Sequence, residues 1–429
     1  MKILIAPWGN PFSWKEVSYC FKGEKVKSKT SLFLLSKVLE PDRIWILVGD
    51  SLAGADGLPQ CDYDVLVRSV EDKVKSFLKE GGFSLEKVKI FVLPGTGFFP
   101  NGSFEGQILD YYYCLLYCLA TELVDAGLSE KLEVHLDLTH GLNFMPVLTY
   151  RALKEVLQVI ALLHEVRFAA YNADPFFGDQ PSCLHIHEVE NVEVGHLIPT
   201  MSPFEVNESH KLFEKLVIEE QEAREGKSKV VALKSVDKSW LKGALTFLGG
   251  GVFGLPLVLS TFFVPGENVR QKLDDALCAH RGKIENSCSP RLEVKRQARF
   301  TPLFRVLVIV YLVAQLLQDT VPNRKELSFD ELKSLHQSLF KRNVLFNSAI
   351  GKEIKSMERI YRAPNSWRCW NALEGRTCGS LDRRNFFAHA GFEKNAVQFR
   401  SQNGELFLRY DPEKLTNIQN FILKALKSS

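Results

Sequence analysis

The chain has 429 residues, of which 45% are hydrophobic and 24% charged, with a formal net charge of +3. This is the balance of an ordinary globular chain of two or three domains, and it sets aside the compositional extremes. A charge so near neutral neither demands nor excludes a nucleic-acid partner, although the C-terminal third is locally basic, with Arg291, Lys295, Arg296, Arg299 and Arg305 close together.

The opening MKILIAPWGN is too short an apolar run for a secretory signal. Residues 2–7, 44–49, 88–95, 132–141 and 166–175 read as short strands, each rich in branched or aromatic residues and ended by Gly, Pro or Asn. Helical periodicity lies between them at 29–39, 65–79, 105–126 and 143–157, and 183–190 reads as an added edge strand. This alternation predicts a mainly parallel, doubly wound sheet, Rossmann-like in its layering. A linker is expected at 202–208, then a helical middle segment without a motif over 206–290.

Within that segment, residues 243–264 carry no charge and are long enough to cross a bilayer, but five glycines and Pro256 predict a buried, broken helix and no membrane partner. Long helices follow at 301–317, 329–340 and 349–362. Residues 397–410 read as a hairpin turning at Asn403-Gly404, and 412–426 as a closing helix. The expected organisation is an α/β domain over 1–205, a helical middle over 206–290, and a mostly helical C-terminal domain over 291–429. Nine cysteines without a CxxC pair fit a reducing cytoplasm and no metal site.

The expected strands end in small or polar residues. Trp8, Gly9, Asn10 and Pro11 follow the first, Asp50 and Ser51 the second, Gly95-Thr96-Gly97 the third, and Thr139, His140, Gly141 and Asn143 the fourth. Ligands of open parallel sheets bind beyond these ends. Glycine lets backbone N–H groups approach phosphate, Thr139 and Asn143 supply neutral donors, and a helix starting near Gly141 adds its positive end. Trp8 and Trp14 are candidates to stack on bases. There is neither GxGxxG nor a P-loop.

The sharpest chemical signal is Arg384-Asn385-Phe386-Phe387-Ala388-His389. These residues suit RNA cleavage by the ribose 2′-OH. His389 moves a proton near neutral pH, Arg384 holds charge developing on the phosphoryl oxygens, and Asn385 orients either group. One histidine does not obviously serve as both base and acid, so a composite site across a dimer is expected.

KILIAPWGNPFSW at the start, DLTHGLNFMP at 137–146 and RNFFAHAG at 384–391 together resemble the CRISPR-associated ancillary ribonucleases of type III systems, with an N-terminal CARF domain and a C-terminal HEPN domain. The resemblance implies a cytoplasmic homodimer, or a higher oligomer, activated by a cyclic oligoadenylate such as cyclic tetra-adenylate. Trp8, Gly9, Asn10, Pro11, Thr139, His140, Gly141 and Asn143 would contact that activator. Arg384, Asn385 and His389 would form a metal-independent site cutting single-stranded RNA, and the spacing also admits Arg383. Three other readings compete with this one: a ligand-responsive regulator that binds RNA or a partner without cutting, a membrane-associated effector using residues 243–264, and a sensor domain that degrades its own ligand.

Overall fold

A computed structural model describes all residues except 55–61, 177, 179–182, 200, 202–206, 208, 223–227, 290, 361–362 and 428–429. The expected linker at 202–208 lies mostly outside the described residues. The chain divides into two compact units, the first of Met1–His196, Val217–Leu233 and Ala276–Thr301, the second of Leu197–Leu216, Lys234–Asp275 and Pro302–Ser429.

The first unit runs β1 (Lys2–Trp8), β2 (Val17–Phe21), β3 (Glu24–Ser28), α1 (Leu32–Leu39), β4 (Arg43–Gly49), α2 (Tyr63–Glu80), β5 (Val88–Leu93), β6 (Gly97–Phe99), β7 (Gly102–Glu105), α3 (Ile108–Asp125), β8 (Lys131–Asp137), α4 (Phe144–Ile160), β9 (Glu165–Ala173) and β10 (Leu184–Glu193). Its main sheet has the order β3-β2-β10-β9-β8-β1-β4-β5. The five strands from β9 to β5 are parallel, as the alternation of strand and helix predicts. β10 runs antiparallel to β9. It is not the edge, because the β2–β3 hairpin extends the sheet beyond it. β1, β4 and β8 are buried along most of their length, the pattern of strands covered on both faces.

Further along come β11 (Lys215–Glu222), β12 (Ser228–Ser235), α5 (Lys238–Val252), α6 (Pro256–Thr261), α7 (Gly266–Arg281), β13 (Ile284–Ser287), β14 (Leu292–Arg296) and β15 (Ala298–Phe300). The expected helical middle therefore contains strands, and it does not stand as a unit of its own. β14 pairs in parallel with β7, matching Leu292 to Gly102, and forms a small sheet with β13 and β6. A Cβ at Gly102 would strike the backbone of Leu292, so glycine permits this approach. From β14, Arg296 reaches the buried carboxylate of Asp50 just beyond β4, and it donates to Gly95 O at 2.8 Å. Tyr63 Oη donates to the same carboxylate at 2.7 Å. Asp50, which the sequence offered as a ligand-facing residue, is instead satisfied inside the protein. A boundary at 291 fails for the same reason: β14 and β15 belong to the first unit.

The second unit contains α5 and α6, broken at Gly254 with φ +65°, as the glycine-rich apolar stretch predicts. A Cβ at Gly249 would strike Ile422, so the glycines of α5 admit a close helix neighbour. Among the described residues, no helix is long and apolar enough to cross a membrane. The unit continues with α8 (Pro302–Leu317), β16 (Glu326–Ser328), α9 (Phe329–Leu335) running into a π-helical turn, α10 (Val344–Met357), β17 (Arg368–Cys369), α11 (Trp370–Leu373), α12 (Arg383–Ala388), β18 (Val397–Gln402), β19 (Glu405–Tyr410) and α13 (Leu415–Leu426). α8 is apolar all round and buried almost throughout. Asn403 and Gly404, at φ 54° and 79°, make the expected hairpin turn. The hairpin joins a four-stranded sheet of order β16-β19-β18-β17.

The cysteines correct the reading of scattered thiols. Cys20 is bonded to Cys183 and Cys369 to Cys378. Cys20 lies opposite His185 in the β2–β10 register, a pairing that a sequence separation of 163 conceals.

Candidate nuclease and sensor sites

α12 begins at Asp382, whose Oδ1 accepts from the backbone N–H of Asn385 at 2.7 Å. It ends after two turns because Ala390 and Gly391 adopt φ 48° and 83°, and Gly391 N donates to Phe386 O at 2.8 Å. A Cβ at Gly391 would crowd Tyr410 Oη at 2.8 Å, so this stop needs glycine. Phe386 is fully buried against Phe387, Tyr410 and Phe421. That anchor turns Arg384 and Asn385 to the exposed side. Arg384 makes no ion pair or hydrogen bond among the described residues.

His389 closes the helix with its backbone N–H on Asn385 O at 3.0 Å, and its side chain is 42% exposed. Its Nδ1 lies 2.9 Å from Glu353 Oε1 on α10, and Glu353 is only 6% exposed. A carboxylate at that atom stabilises the tautomer with hydrogen on Nδ1 and leaves the Nε2 lone pair available. Arg384 and His389 are five residues apart, so their Cα atoms are separated by roughly 7.5 Å along the helix axis. Arg383, one residue earlier, is half-buried. Sequence reasoning missed Glu353: it precedes His389 by 36 residues and carries no local signal.

The strand-end loops of the first unit tell a different story. Gly9 N donates to His140 O at 2.8 Å, stitching the loop after β1 to the loop after β8. His140 Nε2 accepts from Ser31 N at 3.3 Å and lies 3.2 Å from Tyr19 Oη, while its ring stacks on Trp14 at 4.1 Å. Burial holds the His140 pKa below the ordinary imidazole value. Ser31 Oγ donates to the buried Asp137 at 2.5 Å, and Thr139 Oγ1 accepts from Ala173 N at 3.2 Å. Gly141 packs on Pro146, and Pro11 is buried.

A cavity of about 290 Å³ opens beside these loops, lined by Trp8, Gly9, Asn10, Gly49, Lys73 and Leu142 among others. Of the expected ligand residues, Trp8, Gly9 and Asn10 line it, whereas Thr139, His140, Gly141 and Asn143 do not. Trp8 is 0% exposed and forms the floor, so it offers no face on which a base could stack. Trp14 is engaged with His140. Asn143 is exposed at the start of α4, with φ 46° and no capping bond of its own. Lys73, a cation from α2, was missed because an amphipathic surface helix shows many such lysines. Among the described residues, no group of His, Cys, Asp and Glu is disposed to hold a metal ion.

The family model described as the CARF domain of the CRISPR system endoribonuclease Csx1 matches residues 3–175, and that of its HEPN domain matches residues 331–413. The CRISPR system endoribonuclease Csx1 of Methanocaldococcus jannaschii is 33% identical, over 99% of this chain and 94% of its own length. The chain belongs to the Csx1 family. Its first unit thus contains a CARF domain and its second a HEPN domain, and the RNFFAH helix falls inside the HEPN match. A Csx1-family chain is an endoribonuclease of a CRISPR system, so the half-exposed histidine and unpaired arginine lie in the domain expected to meet RNA.

Proposed function

We propose that this Csx1-family endoribonuclease cuts single-stranded RNA without a metal ion and is switched on by a cyclic oligoadenylate, with Arg384, Asn385 and His389 as its cutting site. The observation that carries the reading is the Glu353–His389 pair, a half-exposed imidazole whose Nδ1 is held by a buried carboxylate. Nε2 accepts the proton of a ribose 2′-OH as that oxygen attacks the adjacent phosphorus. The Arg384 guanidinium takes the charge building on the phosphoryl oxygens, and Asn385 orients the phosphate. The bond to the 5′-oxygen breaks, and that oxygen takes a proton from a second His389. Products are a 2′,3′-cyclic phosphate and a 5′-hydroxyl end.

The second histidine comes from a second copy of the chain, in a homodimer with a two-fold axis. Exposed apolar side chains support such contacts: Ile108, Leu109 and Val147 at the starts of α3 and α4, and Val344 and Leu345 at the start of α10. The activator, cyclic tetra-adenylate or a ring of another size, would sit at the strand-end loops. Gly9, Asn10 and Asn143 face it, with Lys73 on phosphate, Trp8 and Pro11 support that loop from beneath, and Thr139, His140 and Gly141 shape the loop behind. A ring on the two-fold axis touches both sensors, and it activates by binding the cutting arrangement more tightly than the resting one. We place the enzyme in the cytoplasm, where RNA substrates are found.

The test is labelled single-stranded RNA incubated in EDTA, with and without cyclic oligoadenylates of several ring sizes. Cleavage is expected with one ring size above all and is lost in His389→Ala. RNA bound but intact under every condition would favour a ligand-responsive regulator instead.

A further inference from the structure

The outer face of the C-terminal sheet has a use that the cutting site does not explain. Along β18 and β19 the inward side chains, Val397, Phe399, Leu408 and Tyr410, are buried. The outward ones pair Gln398 with Arg409 and Arg400 with Phe407. Trp367, just before β17, continues the second row. Arg400 lies over the Trp367 ring at 4.8 Å and the Phe407 ring at 5.5 Å, and Arg409 lies over Trp367 at 4.2 Å. Guanidinium and aromatic planes thus alternate across the sheet, and all four residues are half-exposed.

The charges are incompletely answered. Arg400 shares Glu326 at 3.1 Å, but its Nε is buried with no hydrogen-bond partner. Arg409 has no ion pair among the described residues, and its Nε donates to Gln398 at 3.0 Å. Two guanidiniums face one carboxylate, and most of their ten N–H donors have no hydrogen-bond partner among the described residues. Two like charges held close on rings repel, and an apolar cross-strand pair would stabilise the sheet without that cost. The arrangement suits a polymer with anionic oxygens for the guanidiniums and flat faces for the rings.

We propose that this face binds single-stranded RNA, with bases stacking on the Trp367–Arg400–Phe407 row and phosphates meeting Arg400 and Arg409, as a substrate-holding surface separate from the cutting residues. It rests on the reading that the substrate is single-stranded RNA, because bases in a duplex are unavailable for stacking.

The test uses full-length His389→Ala protein, so that RNA is not cut, and reads binding of a labelled single-stranded RNA by fluorescence anisotropy. Trp367→Ala or Phe407→Ala is expected to weaken binding about tenfold or more, with Trp367→Phe retaining most of the affinity. Arg409→Gln should reduce the slope of log affinity against log salt by about 0.7. Duplex RNA of equal length should bind more weakly and ignore the aromatic substitutions. Unchanged single-strand affinity in Trp367→Ala and Arg409→Gln, whether or not the melting temperature falls, overturns the proposal and leaves a structural ladder. The cutting reading is judged separately, in protein with His389 intact. RNA cut normally while the face variants bind normally defeats only the surface, and RNA held by the face yet never cut defeats only the chemistry.

Discussion

The two ends of this enzyme use polar residues in opposite ways. At the sensor loops, the groups that look most reactive in sequence are already engaged: His140 with Ser31 and Trp14, Thr139 with Ala173, Asp137 with Ser31, and Asp50 with Arg296. What remains for a ligand is backbone, a cavity and a few peripheral side chains such as Lys73 and Asn143. In the HEPN domain the reverse holds: Arg384 is unpaired and exposed, and His389 has one partner that orients it without covering it. On the proposed reading, a sensor benefits from a stiff frame whose shape is read by a ligand, whereas a cutting site must present its side chains.

The largest effect expected from this contrast is at His389. His389→Ala and Arg384→Ala should each reduce activator-stimulated cleavage about 100- to 10,000-fold in single-turnover assays, while the activator still binds. Full activity in Arg384→Ala with loss in Arg383→Ala would move the guanidinium role one residue.

On the sensor side, Arg296→Ala should strand the buried Asp50 carboxylate and destabilise the CARF domain by about 3–5 kcal/mol in denaturant unfolding. A value near zero would mean that this frame is softer than its network suggests.

Next in size, Glu353→Gln should reduce kcat roughly 10- to 100-fold with little change in KM. A fall in KM-limited binding alone would make Glu353 a packing residue. Lys73→Gln should weaken activator binding about tenfold, and Thr139→Ala much less, by calorimetry. Equal losses at both would erase the distinction between frame and contact.

The smallest effect is with pH. Burial lowers the pKa of His140 and His135 from the ordinary 6.5. Below that value the unfolded chain binds protons that the folded chain does not, so stability is expected to fall as pH drops through about 6.5 and to level off below the folded pKa. Melting curves across that range check it, and His135→Gln should reduce the fall.

Much of this was legible in the sequence. The parallel strands announce themselves as apolar runs ending in Gly or Asn, the Asn403-Gly404 turn marks its hairpin, and the Arg384-to-His389 run marks the short helix proposed as the cutting site. Other features were hidden for physical reasons. The β2–β3 hairpin is short, and its second strand is largely polar, so it gives a weak strand signal. Trp8 reads as a stacking residue because it follows a strand, yet tertiary packing on Trp14 and Phe77 covers its ring. Glu353 and Arg296 act through contacts 36 and 246 residues distant, which no local pattern encodes.

The partnership of Asp50 with Arg296 also sets an order of events during synthesis. The sensor is not complete in its own first 200 residues, because β14 and its arginine come from beyond residue 290. On the ribosome, a nascent chain would hold Asp50 without its cation until about two-thirds of the polypeptide had emerged. The CARF domain therefore matures late, shortly before the HEPN domain, and a fragment ending at 205 should be a poor surrogate for it.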